Sequence, residues 1–430
     1  MLSRAVARWR AGNYNSTLDA LVDESGNGLH ARLGSAVGAD TNDPLRLSYR
    51  GCKEVYCPGS NNNGVVSSGR TISTATVSER VEISSVDLLT YVGADNCLIG
   101  NNSTHQQVRV QSTGVLRYSR YDTTAATFRT ADSTVVIPSD AKAVAAEYNG
   151  ATSVSFYYAT TEDLATASWI QFGAAVAITA VATVQASWTP VVGHSTHLLS
   201  GPPGTGRVRQ ARWYRNAVLV DTFDAALLTE PYASYVDPVG GGTWTLNRSA
   251  SGRKLCVVDR DLLLLGTDDY LLVPNHQLLN IAARQSFTLA VIFRKYGTAV
   301  NWLIYKGGDN GAGGDPGYHI RVNLSGGANH AAVLEDTSAR QLPHQTSAGS
   351  GIMQCVAQVR RGGIDLACAV DGVIGTRAAD LPGSSVNAKD FIIGTNFSTY
   401  ADLEFVGAAF FREELSAEQL IRLRQEMLAR

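Results

Sequence analysis

The 430-residue chain has little charge, little methionine, no long basic run and no long apolar run. Asp, Glu, Lys and Arg make up 17% of it and there are 3 methionines, against a charged share of about 25% in ordinary soluble domains. The formal net charge is −2. Nucleic-acid surfaces carry a clustered basic footprint, so no nucleic-acid partner is expected. The longest apolar stretch, 172–184, is interrupted by Thr179 and Thr183 and falls short of the ~20 residues that a helical membrane span needs. No membrane span is expected. The first fifteen residues hold Arg4, Arg8 and Arg10 without a continuous apolar run, which gives no reason to expect export by an amino-terminal signal. The six cysteines, Cys52, Cys57, Cys97, Cys256, Cys355 and Cys368, show no CxxC zinc spacing. Cys52 and Cys57 are near enough in sequence to be bridged, but mostly reduced thiols are the preferred reading, because Cys355 and Cys368 sit in apolar stretches where cysteine acts as a small hydrophobe.

What the chain does have is 41 glycines among many Ala, Ser, Thr and Val, a composition suited to short strands joined by tight turns. At 430 residues, two or three domains are expected at roughly 100–200 residues each. The Gly-, Pro- and Ser-rich run 229–253 (TEPYASYVDPVGGGTWTLNRSASGR) reads as a junction, and one order of features occurs on both sides of it. After it come 287–294 (FTLAVIFR), 302–306 (WLIYK), a glycine-rich loop, 318–324 (YHIRVNL), a hairpin from 353–360 to 364–370, and 404–411. Before it, 77–83, 97–100, 107–110, a hairpin around Asn149-Gly150 and 210–216 (QARWYRN) follow the same order. Val192-Gly193-His194 parallels Ile393-Gly394-Thr395. Short strands spaced about 8–12 residues apart with turns between them predict sandwiches rather than βαβ units. Ser416 and Gln419 match a capping box, and Leu420, Leu423 and Met427 then share one helical face. Leu2, Ala5, Val6 and Trp9 fall at i, i+3, i+4, i+7 and predict a short amino-terminal helix. The expected organisation is therefore a docking helix or arm at 1–17, a first sandwich at 18–230, a linker at 231–253 and a second sandwich with a terminal helix at 254–430.

The second half resembles the concanavalin A-like, laminin G-type jelly roll, through Ile393-Gly394, Phe405-Val406-Gly407, Phe410 and 415–420 (LSAEQL). Residues 18–33 resemble the opening of the same family through Asp23, Ser25, Gly26, Asn27, Gly28 and His30. The resemblance implies an all-β fold of two tandem sandwiches with short terminal helices. It does not imply one function, since this fold hosts many. The phrases Phe156-Tyr157-Tyr158 and 169–173 (WIQFG) resemble wording common in bacteriophage tail and virion proteins. The resulting expectation is a non-enzymatic virion component of the tail, whose partners are other virion proteins, further copies of itself and a host-surface glycan. An exported glycan-binding adhesin stands second, and a glycosidase third.

Candidate chemistry is sparse. Residues 201–208 (GPPGTGRV) echo a phosphate-binding loop, but Arg207 and Val208 stand where that loop needs Lys and Ser or Thr. Glu79 and Glu82 are three apart and would point to opposite faces of a strand, whereas a glycosidase needs two facing carboxylates. His194, Ser195 and His197 lack the orienting acid of a triad. No cofactor is expected. Calcium is the one ion considered: Asp309, Asn310 and Asp315 supply oxygens in a glycine-rich loop, and Asp23, Asp40, Asn42 and Asp43 form a weaker second set. For stacking on a sugar ring, Tyr400, Trp302 and Tyr318 are the chosen aromatics, with Tyr305, Trp169 and Tyr121 also available.

Overall fold

The computed structural model describes the chain except for residues 1, 36–43, 60–61, 72–75, 86–95, 101–105, 185–186, 196–202, 249–254, 267, 297–300, 308–315, 324–328, 338, 348, 396–402 and 430. The regular secondary structure of the described residues is almost all strand, with a single α-helix, Ala417–Leu428, and three short 3-10 turns. No described helix is long and apolar enough to cross a membrane.

The chain divides into two compact units, and they are nested rather than consecutive. One contains Met1–Ser48 together with Arg260–Arg430; the other is Tyr49–Asp259. The expected boundaries at 18–230 and 254–430 give way to this arrangement because strands at the amino terminus pair with strands of the carboxyl-terminal half. Ala7–Arg10 runs antiparallel to the 403–411 strand, with Ala7 opposite Phe410 and Arg10 opposite Gly407. Residues 31–33 pair with 271–273, and 45–47 with 262–265. The expected linker is also part of a sandwich. Ser234–Val236 and Thr243–Asn247 pair with each other and extend a sheet of the inserted unit, and Trp244 is fully buried there.

The amino-terminal helix is not formed; a short 3-10 turn, Leu2–Arg4, leads into a strand. The residues that suggested a helix also carry a period of two: Ala5, Ala7, Trp9 and Ala11 are buried while Val6, Arg8 and Arg10 are less so. An unpaired sheet edge satisfies the backbone of a four-residue segment better than an isolated short helix does. Trp9 then fills the core, donating from Nε1 to the Leu29 carbonyl at 2.5 Å and stacking on Phe391 at 5.4 Å. Gly407 makes this approach feasible, because a Cβ there would lie 2.6 Å from the Trp9 carbonyl oxygen.

The internal repeat is present strand for strand. In the outer unit one sheet runs 365–370, 353–361, 287–295, 403–411; in the inserted unit the order is 153–159, 143–148, 79–84, 210–215. The opposing sheets run 391–393, 301–306, 317–323, 329–335 and 191–192, 96–100, 106–110, 116–122. Each pair of sheets encloses its own apolar core, built around Trp9, Phe287, Phe391 and Phe410 in the outer unit and around Val81, Phe156, Trp213 and Trp244 in the inserted one. Full burial of a large apolar side chain stabilises by about 1.5–3 kcal/mol, so each unit has the means to hold itself together.

The outer faces of the two equivalent sheets differ. In the outer unit, Ile292, Met353, Cys355, Phe411 and their neighbours pack under Leu420, Leu423 and Met427 of the terminal helix. That helix starts as expected, with a complete Ser416–Gln419 capping box. In the inserted unit the equivalent face is largely polar and carries a cleft.

Candidate functional site

The cleft is built by strand register. On each strand of the inserted unit's sheet, alternate residues face the core, so those between them face outward. Val81 and Ile83 enter the core, which leaves Arg80 and Glu82 outside. The ladder sets Arg212, Glu82, Ala145 and Tyr157 in one cross-strand row, and Tyr214, Arg80, Glu147 and Ser155 in the next. The small side chain of Ala145 leaves room between longer neighbours. Residues 160–169 fold over this face. Leu164 is buried on Ala143 and Ala159, with Trp169 packed beside it. Leu164 N–H donates to Gln210 Oε1 at 3.0 Å, and Arg212 donates to the Leu164 carbonyl at 2.8 Å. The result is an open cleft of about 570 Å³ lined by Arg80, Glu82, Glu147, Trp169, Arg212 and Tyr214 among others.

Arg80 is its centre. Its Nε donates to Glu82 at 2.8 Å and one terminal nitrogen donates to Glu147 at 2.9 Å. The guanidinium carbon lies 4.7 Å from the Tyr157 ring centroid and 5.0 Å from that of Trp169, both within cation–π range. Tyr214 donates its hydroxyl to Glu82 at 3.4 Å. Burial pushes the Glu82 carboxyl above its ordinary range, against the opposing pull of Arg80 and Arg212. Two cations and two carboxylates balance one another. Glu79 turns the other way, toward Arg120 at 3.7 Å and Arg215 at 3.5 Å, and accepts from the buried Tyr118 hydroxyl at 3.3 Å. The opposite-face reading of Glu79 and Glu82 therefore describes the strand as found.

The aromatics favoured from sequence do not form this site. Tyr318 is fully buried, donates its hydroxyl to the Leu279 carbonyl at 2.7 Å and packs on Phe287 and Phe410. It is a core residue with no ring face available to a sugar. Trp302 is buried at 7% exposure, covered by Arg321 at 4.0 Å and flanked by His319 at 4.2 Å. Tyr400 and the proposed calcium ligands Asp309, Asn310 and Asp315 lie outside the described residues. In the weaker calcium set, Asp40, Asn42 and Asp43 also lie outside them, while Asp23 is committed to the protein. Its carboxylate accepts from the backbone N–H groups of Arg8, Ser25 and Leu29 at 2.9–3.1 Å and from the Ser25 hydroxyl at 2.8 Å. The 23–30 motif is thus a turn anchor. Arg207 lies on a strand paired with 54–58, 3.6 Å from Glu54, as suits a β-strand rather than a phosphate loop. Cys52, Cys57, Cys355 and Cys368 are free thiols, and burial raises the last three to about 12, so no 52–57 bridge forms.

Among the lining residues, Trp169 is one of the aromatics available in the sequence, and Glu82 is one of the two carboxylates whose spacing places them on opposite strand faces. The usable signal was parity on 79–84 combined with the phrase 156–173. Of that phrase Trp169 lines the cleft, while Tyr157 pairs with Gln171 and Tyr158 with Ile170, and Phe156 and Tyr158 pack on Phe172.

No family model matches the chain, and no curated protein matches it. Among solved structures it is similar to a botulinum neurotoxin type C structure described through its interaction with two ganglioside molecules (10% identity, TM-score 0.31, covering 37% of this chain and 40% of that one). It is similar also to the binding domain of botulinum neurotoxin DC in complex with rat synaptotagmin II (12%, 0.32, 45% and 48%), and to the Ruminococcus gnavus IT-sialidase CBM40 bound to α2,3-sialyllactose (15%, 0.27, 33% and 83%). The chain spans less than half the length of the two neurotoxin chains. Likenesses of this degree assign no family and no ligand.

Proposed function

We propose that the inserted unit is a lectin-like, non-catalytic binding module, and that its ligand is a neutral glycan held in the Arg80–Trp169 cleft. The observation that carries this reading is the arrangement around Arg80. The half-buried Trp169 indole provides surface for a sugar ring. Glu82, Glu147, Arg212 and Tyr214 provide acceptors and donors for its hydroxyls. The cleft's charges cancel internally and Arg80 already holds two carboxylates, so the site suits hydroxyl-rich, uncharged ligands better than acidic ones. One guanidinium bound to both carboxylates also differs from a glycosidase pair, which must be free to exchange a proton with substrate. The concanavalin A-like resemblance and the virion phrase support the wider reading of a bacteriophage tail component with other virion proteins as partners; the cleft would then face a host glycan.

A glycan array carrying neutral and sialylated structures tests the cleft. Binding to neutral hexose-containing glycans, lost in Trp169→Ala, is the expected result. Binding confined to sialylated glycans, or unchanged in the variant, rejects it. Immunogold labelling of virions whose genome encodes the chain tests the tail location, and particles without tail label reject that part.

A further inference from the structure

The geometry points to a second binding site, on the outer unit, for a small organic carboxylate with a compact apolar body. Residues 20–21 and 31–33 pair, and 31–33 pair in turn with 271–273, setting Leu272 opposite Arg32. Alongside this strip lies a cleft of about 370 Å³ whose walls include Leu18, Ala20 and Pro274, with Arg32, His30 and His276 at its polar points. Leu18 is 41% exposed, so the cleft opens to solvent.

Three hydrogen-bond donors around it have no acceptor among the described residues. His30 accepts the Asp23 backbone N–H at Nδ1, 3.1 Å away. His276 likewise accepts the Leu278 N–H at Nδ1, 3.2 Å away, as cap of the 277–279 turn. An imidazole that accepts at Nδ1 carries its proton on Nε2, so each ring offers an Nε2–H donor and neither offers Nε2 as a metal ligand. Arg32 makes no ion pair among the described residues, and its Nε is buried without a hydrogen-bond partner. A guanidinium and two N–H groups beside an apolar surface complement a planar anion that accepts several hydrogen bonds. A cleft of this size fits a ligand of a dozen or so heavy atoms.

This site belongs to a different unit from the glycan cleft, so the two stand or fall separately. The test uses the full chain and benzoate, with benzamide as the uncharged isostere, and reads the imidazole Hε1 proton signals of His30 and His276 by NMR. Saturable shifts of both signals with benzoate are expected, with affinity weaker by about tenfold or more for benzamide and for Arg32→Gln, and no change in Trp169→Ala. Because the Arg32 side chain has no ion-pair partner among the described residues, the variant should fold as the parent does; the benzamide comparison needs no variant at all. Absence of saturable shifts up to tens of millimolar benzoate overturns the proposal. So does equal binding of benzamide, or full retention of binding in a folded Arg32→Gln protein.

Discussion

Arg80 and Trp169 meet with the guanidinium carbon 5.0 Å from the indole centroid, joining a strand of the inserted unit to the segment folded over its sheet. Lys at this position keeps the charge but loses the flat surface and the fork that reaches Glu82 and Glu147 together. Arg80→Lys is therefore expected to weaken glycan binding by about tenfold or more and to shift Trp169 fluorescence to the red. Titration calorimetry with an array hit, run alongside emission spectra, checks both. Unchanged affinity with an unchanged spectrum contradicts the assignment.

Arg294 donates to Glu404 at 2.6 Å across two paired strands of the outer unit, and neither side chain is exposed. Removing one member leaves the other charge buried, which costs about 3–5 kcal/mol, whereas replacing both by apolar groups of similar volume is closer to neutral. Glu404→Gln should lower the urea midpoint of the outer unit markedly, and the Arg294→Met/Glu404→Leu double variant should recover most of the loss. A double variant as unstable as the single one would show that the pair contributes more than mutual neutralisation.

Burial, with Lys295 nearby, lowers the His330 imidazole from 6.5 to about 4 against the favourable bond to Gln354. Its folded state then binds fewer protons than the unfolded state between those values. Stability consequently falls as pH drops from about 6.5 toward 4, by up to about 3 kcal/mol. His330→Gln should flatten this part of the profile. Denaturation midpoints measured across that range for both proteins decide it, and parallel profiles would assign the acid loss to other groups.

Gly193 and Gly394 hold equivalent places in the two units, with φ of 75° and 100°. A Cβ on Gly193 would lie 2.2 Å from Cys57 Sγ, and one on Gly394 2.4 Å from Leu265 Cδ2. Each alanine variant combines left-handed strain with a clash, so each should lose about 1–3 kcal/mol or more. Thermal melts should show Gly394→Ala lowering the outer unit's transition and Gly193→Ala the inserted unit's. A loss of less than about 0.5 kcal/mol in either would contradict the packing described for that position.

Local chemistry in the sequence determined a good deal of this molecule. Alternation in 79–84, the Asn149-Gly150 turn whose Asn149 side chain accepts three backbone N–H groups, and the Ser416 cap all act over a few residues, so their elements were legible. The repeat was legible for the same reason, since each unit reuses one order of short strands. The tertiary structure alone decided that Ala7–Arg10 completes a sheet with 403–411, and that Tyr49–Asp259 is inserted within the other unit. It also decided that Arg80, Glu147, Trp169 and Arg212 converge while Tyr318 is buried. Strand neighbours are selected by register and by the burial of facing side chains across large sequence separations. Parity along a strand says which residues share a face, but not whether that face will meet a core, a covering helix or water.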